Sequence, residues 1–336
     1  MKIAFFEVFK TEEKIIKDFF KEHDVICFEE KLNEETSFEA REAEVISIFI
    51  NSEINQNIID SLPNLKFIAT RSTGYDHIDH KYAESKGIKV SNVPAYGTHT
   101  VAEYTFALLL SLSRKIYIAC NHLKQDADFS ISALQGFDLY KKTIGIVGTG
   151  KIGKNVIKIA KGFGMNVVAF DLYPDLEFAK ENNFEYKNLN DLVAESDVLS
   201  LHIPYTKENY HLINKKVISE MKKGMYLINT ARGELIDTDA LIWGLESKVI
   251  GGAGLDVLES ERELKTELEV LSHIYKAEKV KDYKTLLEDR VLIDMPNVIV
   301  SPHIAFFSKE AEDGIVKVTM DNINGFINNN LINLVK

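Results

Sequence analysis

The chain alternates short apolar runs with stretches whose apolar residues recur at helical spacing. Ile3 to Val8, Val25 to Phe28, Val45 to Ile50, Leu65 to Thr70 and Lys89 to Val93 read as strands. Thr11 to Glu22 reads as an amphipathic helix, capped by Thr11 and acidic in its first turn. One long helix is expected from Thr98 to Lys124. It is apolar on most faces, which suits burial between domains or subunits. After a polar stretch the alternation resumes. Its strands are the run ending at Val147, Asn166 to Phe170, Val198 to Ile203, Met225 to Asn229, Gly251 to Val257 and Asn297 to Val300. Asp237 to Lys248 is a helix between two of these, and a helix from Ser308 to Asn328 closes the chain. This order predicts an α/β protein built on parallel sheets.

The most informative stretch is Lys142 to Lys161. An apolar run leads into Gly148-Thr149-Gly150-Lys151-Ile152-Gly153, and an apolar-periodic segment with Val156, Ile157 and Ala160 follows. Strand, glycine turn and helix form a dinucleotide-binding signature. Gly148 permits the tight turn, Gly150 lets backbone approach a pyrophosphate, and Gly153 lets the helix pack close to its strand. The free amides at the helix start then offer an anion site. Asp171 ends the next strand, about twenty residues further on, where a carboxylate can accept both ribose hydroxyls of adenosine. It would repel a 2′-phosphate, and Leu172-Tyr173-Pro174 brings no arginine to compensate. NAD is therefore expected rather than NADP.

Because this unit begins mid-chain, the residues before it form a domain of their own. The roughly thirty residues after His303 are too few for a third domain and must return to one already built. The expected layout is a substrate (catalytic) domain of residues 1–97 with 304–336, an NAD-binding domain of residues 98–303 inserted in it, and a cleft between the two. A charged stretch, 258–290, reads as a solvated surface insertion that loops outward.

Composition narrows the function classes. With 45% apolar and 27% charged residues, the 336-residue chain has the make-up of an ordinary globular protein. A net charge of −11 argues against nucleic acid and anionic membrane as partners. Cys27 and Cys120 lie far apart in apolar settings, so neither a zinc site nor a disulfide framework is implied. The first residues reach a charge too soon for a signal peptide, and the apolar run Phe106 to Leu112 is too short to span a bilayer. The cytoplasm is the expected location.

In open α/β sheets, ligands gather beyond the carboxyl ends of strands. Arg232, Asp256, Glu261 and His303 all follow strand ends downstream of the glycine turn. An arginine, carboxylates and a histidine there can perform hydride-transfer chemistry. His202 reads as a packing residue, His77 and His80 as part of a turn into a helix, and His99 as a helix start. His23, His122, His211 and His273 lie in polar segments expected to be exposed.

These motifs resemble the D-isomer-specific 2-hydroxyacid dehydrogenase family over nearly the whole chain. Besides the glycine turn and Asp171, the matching stretches are Leu201-His202-Ile203-Pro204, Asn229-Thr230-Ala231-Arg232-Gly233, Gly254-Leu255-Asp256-Val257 and Ser301-Pro302-His303-Ile304-Ala305. Within the family, Asn92-Val93-Pro94-Ala95-Tyr96 and the aromatics Phe306-Phe307 most resemble the D-lactate dehydrogenases.

The resemblance implies two Rossmann/flavodoxin-like parallel-sheet domains and NAD-dependent reduction of a 2-keto acid, with pyruvate the leading substrate. His303 is implied as the acid/base, Glu261 as the partner that raises its pKa, and Arg232 as the clamp on the substrate carboxylate. Glu259 is the alternative to Glu261. Thr73, Gly74, Tyr96, Arg232 and Phe306 would contact substrate. Gly148, Gly150, Lys151, Ile152, Gly153, Asp171, Ile203, Pro204, Asn209, Thr230, Arg232 and Asp256 would line the cofactor, Asp256 at the nicotinamide carboxamide. A homodimer is implied. Two alternatives stay open: a bulkier substrate such as phenylpyruvate or 2-ketoisocaproate, and a non-enzymatic protein that senses NAD.

Overall fold

A computed structural model describes residues 1–94, 96–126, 129–132, 134–259, 261 and 283–335. Contacts divide the chain into two units, Met1–Tyr96 with Phe307–Lys336, and Gly97–Phe306.

The first unit holds five strands, β1 (Lys2–Phe5), β2 (Asp24–Cys27), β3 (Val45–Ile48), β4 (Phe67–Thr70) and β5 (Lys89–Ser91). All pair in parallel in the order β2-β1-β3-β4-β5. Their apolar runs follow from burial on both faces, since a parallel sheet is covered above and below. Three short helices, α1 (Lys10–Phe19), α2 (Gln56–Ser61) and α3 (His80–Ser85), join the strands. The C-terminal helix, Lys309–Ile327, packs here: Val316, Met320 and Ile323 share a core with Ile3, Phe5, Ile16 and Phe67, and Phe326 stacks on Phe67 at 4.6 Å. Ser308 caps its start by accepting from Ala311 N at 3.2 Å.

The second unit contains α4 (Thr98–Ser113) and α5 (Ile116–Asp126), followed by β6 (Thr143–Val147), α6 (Lys151–Gly162), β7 (Asn166–Phe170), α7 (Leu176–Glu181) and β8 (Glu185–Tyr186). It continues through α8 (Leu189–Glu195), β9 (Val198–Leu201), α9 (Lys215–Ser219), β10 (Met225–Asn229), α10 (Thr238–Glu246), β11 (Ile250–Leu255), α11 (Tyr283–Asp294) and β12 (Val298–Val300). Its sheet is again parallel, in the order β12-β11-β10-β9-β6-β7-β8. Counted within the unit, that is the doubly wound 3-2-1-4-5-6 order with one further strand, and it reverses between β6 and β9. Both sheets are of the parallel α/β type expected. Among the described residues no helix is long and apolar enough to cross a membrane.

Three local expectations are corrected. The helix expected over Thr98 to Lys124 is two helices: Arg114 N closes α4 on Leu110 O at 3.0 Å, and Lys115 turns left-handed at φ 51°. Thr11 is not an N-cap, because α1 begins at Lys10 and the Glu12 carboxylate accepts the free amide of Phe9 at 2.9 Å. Cys120 is exposed rather than apolar-packed. Most of the charged stretch, 260 and 262–282, lies outside the described residues. Its far end lies in α11, and the described part is not simply solvated as expected, because Leu258 and Asp289 are buried.

Candidate active site

The glycine turn lies between β6 and α6, at the carboxyl edge of the sheet and beside the reversal in strand order. Gly148 has φ 96°, open to glycine, and a Cβ there would meet Ile203 Cγ2 at 2.6 Å and His202 O at 2.8 Å. At Gly153 a Cβ would lie 2.0 Å from Gly148 O. A Cβ at Gly150, by contrast, would meet nothing within 4 Å, which leaves the helix start open to a diphosphate.

Asp171, just past β7, is tied to the same turn. Its Oδ2 accepts from Thr149 N at 2.6 Å and Thr149 Oγ1 at 2.9 Å, and its Oδ1 from Tyr173 N at 2.9 Å. Burial alone would raise its pKa, but these hydrogen bonds outweigh it and hold the carboxyl below its ordinary value. The group is therefore ionised at neutral pH, with acceptor capacity remaining on Oδ1 for ribose hydroxyls. The turn and its carboxylate fit an NAD dinucleotide.

Of the other residues implied at the cofactor, Lys151 and Ile152 open α6, and Ile203 packs on Gly148. Thr230 shares a hydrogen bond of 3.1 Å with Thr105 on α4. Asn209 is engaged in its own turn, donating to Pro204 O at 2.8 Å and accepting from Thr206 N at 2.7 Å.

The second cluster forms where β10, β11 and β12 end. Asn229, fully buried, shapes the turn into Arg232: its Oδ1 accepts from Ala231 N at 3.0 Å and its Nδ2 donates to Arg232 O at 2.8 Å. Gly233 lets this turn lie against the segment after β11, since a Cβ there would sit 2.1 Å from the Leu258 carbonyl carbon. The arginine turn and the chain approaching Glu261 are thus in direct contact. The guanidinium donates through Nη1 to Ala231 O at 2.8 Å.

His303 follows β12 with φ 54°, in the left-handed region that few non-glycine residues occupy. Asp256 holds the loop there. Its Oδ1 accepts from Ser301 Oγ at 2.7 Å and Ile304 N at 2.9 Å, its Oδ2 from Ala305 N at 2.8 Å, and its carbonyl from His303 N at 2.9 Å. Burial raises the Asp256 pKa, and those hydrogen bonds offset part of the rise. This anchoring of the His303 loop is a role that sequence reasoning missed. So is that of Ser301, whose only sequence signal was its place in the motif.

The imidazole Nδ1 of His303 lies 2.7 Å from Glu261 Oε1. Nδ1–H donated to the carboxylate leaves Nε2 as the atom able to exchange a proton. Phe306 stands edge-on to the ring at 6.4 Å and 76°. The alternative carboxylate, Glu259, is engaged elsewhere, accepting from Tyr210 Oη at 2.8 Å, His211 Nε2 at 2.7 Å and Thr238 Oγ1 at 2.8 Å. His211, expected to be exposed, is therefore part-buried and paired. His202 is a packing residue as expected: its Nε2 meets Ser200 Oγ at 2.8 Å, and burial pushes its pKa down to about 3.

In the first unit, Thr73 and Gly74 follow β4. The carbonyls of Ser72, Thr73 and Gly74 all accept hydrogen bonds, from Val93 N at 3.0 Å, Asn92 Nδ2 at 2.7 Å and Ser72 Oγ at 2.6 Å. The amides of Thr73 and Gly74 donate to no acceptor among the described residues. A loop with carbonyls tied in and amides free is a receptor for an anion. Tyr96 packs by its Cβ near Gly314 of the C-terminal helix, and Phe307 lies against Phe9 at 5.9 Å.

Comparison with known proteins shows the family. The family model "D-isomer specific 2-hydroxyacid dehydrogenase, NAD binding domain" matches residues 106–305. D-lactate dehydrogenase of Escherichia coli is 39% identical over 301 residues, 88% of this chain and 87% of the relative. An aromatic 2-oxoacid reductase of Clostridium sporogenes is 39% identical over 284 residues, 84% of this chain and 82% of the relative. Among solved structures, D-lactate dehydrogenase from Aquifex aeolicus, complexed with NAD and lactic acid, has a TM-score of 0.87 at 34% identity, covering 98% of this chain and 96% of that one.

Proposed function

The chain belongs to the D-isomer-specific 2-hydroxyacid dehydrogenases, and on that premise we propose that it reduces pyruvate to D-lactate. It is an NAD-dependent oxidoreductase acting on a 2-keto or 2-hydroxy acid. The observation that carries the choice of pyruvate is the likeness, over almost the full chain, to a D-lactate dehydrogenase complexed with NAD and lactic acid. Phe306, edge-on to His303, suits a short substrate by walling the reacting end with an aromatic ring. The bulkier reading, an aromatic or branched 2-keto acid, is favoured by the equal identity to the aromatic 2-oxoacid reductase.

When bound, NADH supplies the hydride that adds to the carbonyl carbon, so that pyruvate, NADH and one proton give D-lactate and NAD+. His303 gives the proton from Nε2 to the carbonyl oxygen, and in the reverse direction takes it back. Glu261 holds Nδ1 and balances the imidazolium charge while His303 waits to donate. The planar fork of Arg232 grips the substrate carboxylate and polarises the adjacent carbonyl. The amides of Thr73 and Gly74 give that carboxylate a second contact, and the hydroxyl of Tyr96 a third. Asp171 accepts the adenosine ribose and turns away a 2′-phosphate.

Oxidation of NADH and of NADPH, measured across pyruvate, phenylpyruvate, 2-ketoisocaproate, hydroxypyruvate and glyoxylate, tests this reading. The expected result is fastest turnover of pyruvate, to D-lactate, with NADH strongly preferred. Activity confined to a bulkier acid would move the substrate but keep the chemistry. Equal use of NADPH would overturn the role given to Asp171, and no turnover would overturn the proposal.

We also place the chain in the cytoplasm as a homodimer. A hollow of about 510 Å³ between α4 and α6, lined by the apolar Phe106, Ala107, Leu110 and Ile159 and also by charged Glu103 and Lys158, is a feature that a second copy would cover. The protein should be recovered from the cytoplasmic fraction and sediment at twice 38.1 kDa. Sedimentation as a monomer would refute the dimer.

A further inference from the structure

The loop that carries Thr73 and Gly74 is held from behind by a chain of buried side chains whose polarity follows from counting hydrogens. Ser72 Oγ donates its single hydrogen to Gly74 O at 2.6 Å, since a carbonyl can only accept. Thr70 Oγ1 lies 2.7 Å from Ser72 Oγ, so in that pair Thr70 must be the donor. Its hydrogen is then used, and His77 Nε2, 3.2 Å from Thr70 Oγ1, must donate in turn. Thr70, Ser72 and His77 are 0%, 3% and 5% exposed, which shields the chain from water.

The backbone around His77 is fixed as well. Ile54 N donates to His77 O at 2.8 Å, and Asp79 caps α3 by accepting from Tyr82 N at 3.0 Å. The backbone of His77 is thus anchored at one end of the relay, and the Gly74 carbonyl is held at the other. The two preceding carbonyls, of Thr73 and Ser72, are held by Asn92 Nδ2 and Val93 N. Because a trans peptide points its N–H away from the C=O of the residue before, holding the Ser72 and Thr73 carbonyls orients the Thr73 and Gly74 amides, and holding the Gly74 carbonyl fixes the end of the loop that carries them.

We propose that His77 is a positioning residue for substrate recognition: by donating from Nε2 through Thr70 and Ser72 to the Gly74 carbonyl, it sets the curvature of the amide loop that receives the 2-keto acid carboxylate. This rests on the functional reading above, in which those amides meet the substrate. His77 acts through the loop and touches neither substrate nor cofactor.

The amides hold the carboxylate equally in ground and transition states, so the relay controls KM more than kcat. Thr70→Val and Ser72→Ala each remove one hydroxyl with little change of shape. His77→Leu removes the donor, whereas His77→Gln restores one at similar reach. Each of the first three is expected to raise KM for pyruvate about tenfold, the equivalent of one lost hydrogen bond, with KM for NADH unchanged. His77→Gln should recover most of the loss, and Thr70→Val with His77→Leu should be no worse than either alone. In ¹⁵N NMR, His77 Nε2 should carry a proton at neutral pH.

An unchanged KM in Thr70→Val and Ser72→Ala would overturn the proposal. So would losses that add, a His77→Gln variant no better than His77→Leu, or an unprotonated Nε2. Should the wild-type protein turn over no 2-keto acid, the functional reading fails, and the ¹⁵N signature still decides the direction of the relay.

Discussion

His303→Asn is expected to slow both pyruvate reduction and D-lactate oxidation by about 10²- to 10⁴-fold, the usual contribution of a positioned general acid–base. That corresponds to roughly 3–5 kcal/mol of barrier. Asparagine is the informative replacement because it tolerates the left-handed backbone at φ 54°, so the loop survives and only the proton donor is lost. NADH binding, followed by its fluorescence, should stay within about twofold of wild type, since the glycine turn and Asp171 follow β6 and β7, away from the His303 loop after β12. Glu261→Gln is expected to lose less, about tenfold, because it keeps a partner at Nδ1 but removes the charge that balances the imidazolium. A loss under tenfold in His303→Asn would mean that another group transfers the proton. An Asn variant that also failed to bind NADH would mean that the substitution had disturbed the unit as a whole.

How much of this arrangement could be read from sequence depended on whether the information was local. Parallel strands are buried on both faces, so β3, β4, β6, β9 and β10 announce themselves as apolar runs. The glycine turn is legible for a similar reason, since the geometry at Gly148 and Gly153 forbids any other side chain. Helices of five to seven residues, such as α2 and α7 to α9, are too short to display a period and went unseen. The break between α4 and α5 was invisible because Lys115 takes the left-handed conformation without the glycine that usually signals it.

Side-chain pairing was the harder part. Glu259 and Glu261 are two positions apart and chemically identical, and the sequence offers no local reason for one to meet His303. The choice is made by Tyr210, His211 and Thr238, three residues from other elements that converge on Glu259 and leave Glu261 to pair with His303. The family resemblance implied Asp256 as a cofactor contact, but its four bonds to the His303 loop exist only once β11 and β12 lie side by side. The polarity of the His77 relay is further still from the sequence, because it depends on where single hydroxyl hydrogens go.

Arg232→Ala is expected to lower kcat/KM for pyruvate by about 10²- to 10⁴-fold while leaving NADH affinity nearly unchanged. A charge-assisted hydrogen bond contributes roughly 1.5–3 kcal/mol, and a guanidinium fork can make two such bonds to one carboxylate. The loss should appear in both parameters: in KM because the carboxylate is released, and in kcat because the carbonyl is no longer polarised in the transition state. This separates Arg232 from the Thr73–Gly74 loop, where a defect should fall on KM more than on kcat. Arg232→Lys sharpens the test. Lysine keeps the charge but offers a point donor instead of a planar fork, so it should recover part of KM and little of kcat. Neither replacement should unfold the turn, because Asn229 holds it through the backbone of Ala231 and Arg232 rather than through the arginine side chain. Unchanged turnover in Arg232→Ala, with the fold intact by circular dichroism, would remove Arg232 from the site and leave the substrate carboxylate to the amides of Thr73 and Gly74.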